Sequence, residues 1–114
     1  MVKILVVQGP AAAGKTQLVY QTFTEERFRG NTVFLSQFMG ADPGHPLVLV
    51  VDGYSLKDGL AYAARVPSII LVVYVANEDW TPYKNADLEV FDVPTLKPIL
   101  QRKDFILALN AYAI

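Results

Sequence analysis

The chain contains no cysteine and a single histidine, His45. That excludes disulfides and thiolate metal sites, and a lone imidazole in a Gly-His-Pro turn has no partners with which to build a zinc centre. An excess of charge of one sign is missing too: ten Lys and Arg stand against eleven Asp and Glu, for a net charge of −1. Interspersed charges give no strong overall field for nucleic acid, although a local basic patch stays open. No apolar stretch approaches the roughly 18–20 residues of a membrane span. The opening apolar run is too short for a secretory signal. These absences predict a soluble, cytoplasmic protein without a membrane span, with docking to a membrane or virion left open. Apolar residues make up 53% of the 114 positions, enough to fill the core of one domain. At this size little chain is left for a lid or a second domain.

Regular punctuation organises the chain. Val2–Val7 is a continuous apolar run, as expected of a strand buried on both faces of a parallel sheet. Residues 16–28 place Leu18, Val19, Phe23 and Phe28 on a roughly helical period, and Arg29-Gly30-Asn31 reads as the stop. Thr32–Leu35 is a second strand, residues 40–46 a turn-rich loop, and Leu47–Val51 a third strand ending in Asp52. Ser55, with Asp58 three residues on, predicts a capped helix that runs to Pro67. Ser68–Val75 is a fourth strand, Asn77–Ala86 a polar, aromatic loop, and Leu88–Val93 an alternating fifth strand suited to an edge. Pro94 opens a last segment, read as a helix, containing Leu96, Ile99, Leu100 and Leu107. Strands alternating with helices predict an α/β fold, a three-layer α/β/α sandwich around a mostly parallel five-stranded sheet in one domain over residues 1–114.

Between the first strand and the first helix stand Gly9, Pro10, Ala11, Ala12, Ala13, Gly14, Lys15 and Thr16. Gly, four residues, then Gly-Lys-Thr is the spacing of a phosphate-binding loop, and here it has the strand-to-helix context that such a loop requires. Glycines allow the tight turn that aims backbone N–H groups at phosphate oxygens, and the helix start adds unpaired N–H groups. Lys15 would reach the β- and γ-phosphates, the Thr16 hydroxyl would hold Mg²⁺, and Gln17 belongs to the same first turn. The loop predicts a bound nucleoside triphosphate, ATP by default, because no Asn-Lys-x-Asp signature for guanine is present.

The run Leu47–Val51 followed by Asp52 has the form of a strand capped by a magnesium-holding acid. An ordinary strand with an Asp-Gly turn is the plain alternative. Gly53 stands where many ATP-hydrolysing proteins place a glutamate base, so Glu78, or Asp79, becomes the candidate base, with a solvated turn the plain alternative for both. Asn77 closes the fourth strand and would sense the γ-phosphate if that strand neighbours the phosphate-loop strand; a loop-capping asparagine is the alternative. Arg65 and Arg102 are possible arginine fingers or surface cations. Trp80, Tyr83 and Lys84 either stack bases or fold onto their own domain.

On these motifs the chain resembles P-loop NTPases of the additional-strand group, which includes RecA-like, AAA+ and FtsK–HerA proteins. The order of Gly9–Thr16, a short strand, Asp52 and then Ile69–Asn77, followed by Asn85-Ala86-Asp87, is similar to viral genome-packaging ATPases. The resemblance implies a minimal Mg-dependent ATPase acting on DNA as a homo-oligomer, with Gly9, Gly14, Lys15, Thr16 and Asp52 at the nucleotide and Asn77 as sensor. Gly53 and the short chain depart from that pattern. Two other readings stay open: a small kinase passing the γ-phosphoryl group to a nucleoside or nucleotide, and a nucleotide-binding module without turnover.

Overall fold

A computed structural model describes residues 2–10, 13–35, 44–93, 98–112 and 114, without the side chains of 98–101. Ala11, Ala12, residues 40–43 of the turn-rich loop, Pro94 and Leu96, together with the side chains of Ile99 and Leu100, lie outside the described residues. Five strands form one sheet: β1 (Lys3–Gln8), β2 (Thr32–Phe34), β3 (Val48–Val51), β4 (Leu71–Val75) and β5 (Leu88–Asp92). Their spatial order is β2-β3-β4-β1-β5, and every pairing is parallel rather than only most of them. The sheet is accompanied by α1 (Lys15–Phe23), α2 (Glu26–Arg29), α3 (Leu56–Arg65) and α4 (Pro98–Asn110).

Strand alternation sorts the core into two halves. Leu5, Val7, Val48, Val50, Val73 and Val75 join Leu18, Val19 and Phe23 of α1, Phe28 of α2 and Phe105 and Leu109 of α4. The intervening residues Ile4, Val6, Leu49, Val51, Val72 and Tyr74 join Leu56 and Ala63 of α3. Helices thus cover both faces, compatible with three α/β/α layers. The nearly uninterrupted apolar character of β1, β3 and β4 follows from burial on both sides. Among the described residues no helix is long and apolar enough to cross a membrane.

Several boundaries differ from the sequence expectation. The predicted helix over residues 16–28 is two helices. Thr22 and Thr24 donate their hydroxyls back to the carbonyls of Leu18 and Tyr20, and Glu25 turns extended, so the ladder stops. Phe23 and Phe28 then meet edge to face across the break, their centroids 5.5 Å apart. Gly30 ends α2 in the right-handed region, without the left-handed turn expected of a helix-stopping glycine. Strand β4 starts at Leu71, since Ile69 and Ile70 belong to the approach rather than to the ladder. The Ser55 cap is present: its side chain accepts from the Asp58 N–H at 3.1 Å.

Two outcomes follow from this packing. A Cβ on Gly59 would come within 2.5 Å of Val51 Cγ2, where α3 lies directly on β3. Gly59→Ala, normally a gain in a helix, is therefore expected to destabilise by about 1–3 kcal/mol in denaturant unfolding. Burial, reinforced by Glu89, whose carboxylate accepts the Tyr112 hydroxyl, pushes the Tyr112 phenol from 10.0 up to about 12. Folding thus favours the neutral phenol. Its contribution is full below about pH 10 and is lost as pH climbs toward 12. Tyr112→Phe should remove a late-ionising phenol from an alkaline absorbance titration and make stability fall less steeply over that window.

Candidate functional site

Neighbouring parallel strands β1 and β4 send their continuations to opposite faces. The chain leaving β1 enters α1 on one face, whereas Ala76, Trp80 and Tyr83 after β4 pack with the α3 half of the core. In open α/β sheets, neighbouring strands whose connections part in this way have their ligand crevice outside the strands' carboxyl ends. The loop predicted to hold phosphates leaves β1 at that crevice.

Each end of the loop has its own constraint. A Cβ on Gly9 would run into the Val93 carbonyl, so this glycine allows the loop to pass close against the end of β5. The Ala13 N–H donates to the Pro10 carbonyl at 3.0 Å, closing a turn. Gly14 caps α1 at φ +82°, a left-handed conformation that side chains resist. Lys15 then reaches back across the loop, its ammonium donating to the Gly9 carbonyl at 2.7 Å. A half-buried cation, a left-handed turn and the free N–H groups of a nine-residue helix thus meet in one loop. Thr16 and Gln17 are exposed on the first turn of α1.

Asp52 follows the last residue of β3 and is half-buried. The register runs from Val51 to Tyr74 to Val6, so Asp52 stands level with the end of β1, two strands or about 10 Å away. The alternation that points Val48 and Val50 toward α1 gives Asp52 the same parity. No group of three or more His, Asp or Glu suited to a metal exists among the described residues. One acid and one hydroxyl suit Mg²⁺, which keeps waters and takes phosphate oxygens for its other ligands.

Gly53 adopts φ +82° with open space around it. The backbone, not crowding, is what disfavours a glutamate there, at about 1–2 kcal/mol. Of the two alternative acids, Asp79 accepts from the Thr81 N–H and hydroxyl, which hold its carboxyl below the usual range. It starts a 3-10 turn over Thr81–Tyr83. Glu78 is exposed beside Asn77 at the carboxyl edge.

Asn77 bridges loops: its side-chain oxygen accepts the Tyr74 hydroxyl at 2.7 Å, and its amide donates to the Tyr54 carbonyl. Tyr74 is buried, and burial raises its pKa. Arg102 pairs with Glu25 of its own chain, and Arg65 rests over the Tyr62 ring. Trp80 and Tyr83 fold onto their own domain.

Gln8, the last residue of β1, is a connector: its side-chain amide donates to Asp92 at 2.6 Å, and its side-chain carbonyl accepts the Trp80 indole N–H at 3.2 Å. A glutamine ending an otherwise apolar strand was the available signal. No protein-family model, curated protein or solved structure matches the chain.

Trp80 is the only tryptophan and hangs on the residue preceding Gly9. Gln8→Leu should therefore shift tryptophan emission in the ligand-free protein and blunt any change on adding Mg-ATP, both read by fluorescence.

Proposed function

We propose that the chain binds a nucleoside triphosphate with Mg²⁺ at the carboxyl edge of its sheet and acts as a minimal ATPase on nucleic acid, working as an oligomer. The observation that carries the nucleotide reading is the Lys15 ammonium lying back on the Gly9 carbonyl at the left-handed start of α1, beside the β1/β4 crevice. Phosphate oxygens are the natural replacement for that carbonyl, because they bring the negative charge that an ammonium and a helix N-terminus favour. Thr16 and Asp52 would hold Mg²⁺, which supplies charge neutralisation at the phosphates. The position of β4 between β1 and β3 supports the additional-strand reading. Action on DNA, and assembly, rest on the resemblance of the motifs to packaging ATPases.

Water attack needs a proton acceptor, and the backbone at Gly53 disfavours one there. Of the two acids directly after β4, Glu78 is the one not held by Thr81. A positioned base contributes about 10²–10⁴-fold, so turnover without one is correspondingly slow. The same glycine favours a second reading, a module that holds ATP without hydrolysing it.

The deciding experiment measures ATP binding and phosphate release for wild type, Lys15→Ala, Asp52→Ala and Glu78→Gln, with and without DNA. Lys15→Ala should weaken ATP binding at least tenfold, and Asp52→Ala should abolish its dependence on Mg²⁺. DNA-stimulated release that falls in Glu78→Gln supports the ATPase. Binding without release supports the module, and transfer to a nucleoside with water a poor acceptor selects a kinase. Unchanged ATP binding by Lys15→Ala would refute the site.

A further inference from the structure

The α3 face carries a cavity of about 320 Å³, on the side of the sheet opposite α1. One wall is a single stripe of α3: Asp58, Ala61, Tyr62 and Arg65 recur at steps of three and four residues and share one side of the helix. The buried stripe of the same helix, Leu56, Gly59 and Ala63, faces the sheet. Leu35 at the end of β2 and Tyr54 in the turn after β3 complete the lining.

Two charges face this space without an ion-pair partner among the described residues. The Arg65 guanidinium lies 5.9 Å from the Tyr62 ring centroid and makes no ion pair among the described residues. Lying over a ring occupies its face but not its in-plane N–H donors, which are matched to phosphate and carboxylate oxygens. Asp58 uses its backbone N–H on the Ser55 cap, while its carboxylate makes no ion pair among the described residues. Seven residues separate the two along α3, roughly 10 Å of helix rise, too far for them to neutralise each other. A ligand that satisfies both ends carries an anion at one end, a hydrogen-bond donor at the other and a flat body that can lie on tyrosine. The volume is at the lower end of the roughly 300–1,000 Å³ of small-molecule sites, with room for one such unit.

We propose that this cavity is a second binding site, for a nucleoside monophosphate unit. Its phosphate sits on Arg65, its base lies against Tyr62 or Tyr54, and a base amine or sugar hydroxyl donates to Asp58. A free mononucleotide and one residue of a single strand present this same chemistry. The site is distinct from the triphosphate loop and does not require it. Tyr54 links the two regions, since its carbonyl accepts the Asn77 amide at the end of β4.

Calorimetric titration of the full chain with AMP, and with single-stranded oligo-dA of about ten nucleotides, tests the proposal on wild type, Arg65→Gln and Lys15→Ala. AMP affinity should fall about tenfold or more in Arg65→Gln and stay unchanged in Lys15→Ala. Oligonucleotide binding that is tighter than AMP and equally sensitive to Arg65→Gln identifies a strand as the source; affinity no tighter than that of AMP identifies the free nucleotide. Absence of binding to wild type, or binding indifferent to Arg65→Gln, overturns the proposal. Loss confined to Lys15→Ala moves AMP to the phosphate loop and overturns it as well. Failure of the triphosphate reading would show separately, as ATP binding unchanged in Lys15→Ala.

Discussion

Strand β1 is hydrogen-bonded on both flanks, to β4 and to β5, and the loop that leaves it inherits its position from that double pairing. The Ala76 N–H donates to the Val7 carbonyl and the Val93 N–H to the Gln8 carbonyl, so both neighbours grip the last residues before Gly9. Gly9 then passes so close to Val93 that a side chain has no room. A platform held from both sides fixes the point from which the loop departs. The Gln8 side chain, with bonds to Asp92 and Trp80, repeats this two-sided grip just outside the ladder.

Much of this frame was legible in local chemistry. Gly-x4-Gly-Lys-Thr between an apolar run and an amphipathic one is a short-range pattern, and the structure has a strand before it and a helix after it. Doubly buried strands betray themselves by continuous Val, Ile and Leu, as β1, β3 and β4 do. The Ser55 cap was legible because capping is a contact across three residues. Strand order was not, because it depends on which distant strands pair. The break at Thr24–Glu25 was hidden because threonine hydroxyls bonding back to carbonyls leave no periodic trace. Glycines were legible as glycines but not in their reasons. Gly9 answers to the Val93 carbonyl just past β5, Gly59 to Val51, and Gly53 to its own backbone.

The candidate site divides along the same line. Lys15, Gly14 and Asp52 come to one edge of the sheet through elements the sequence outlines. Asn77 and Asp79, read from position alone, have their polar groups engaged with Tyr74, Tyr54 and Thr81. The α3 cavity needed three dimensions, because Leu35 is brought to the helix by the pairing of β2 with β3 rather than by spacing.

The two-sided pairing of β1 also bears on how the chain comes to be folded. The loop and α1 are made early, but the residues that pair with β1 lie 68 positions later in β4 and 84 positions later in β5. Such long-range parallel contacts close slowly, because a large stretch of chain must be ordered before any of them forms. During synthesis the α1 segment emerges well before its platform exists, with Leu18, Val19 and Phe23 lacking the surface that later buries them. A ligand held by this loop would therefore be unable to template the first steps of folding. It would act only as a late latch, favouring molecules in which β4 and β5 have already closed on β1.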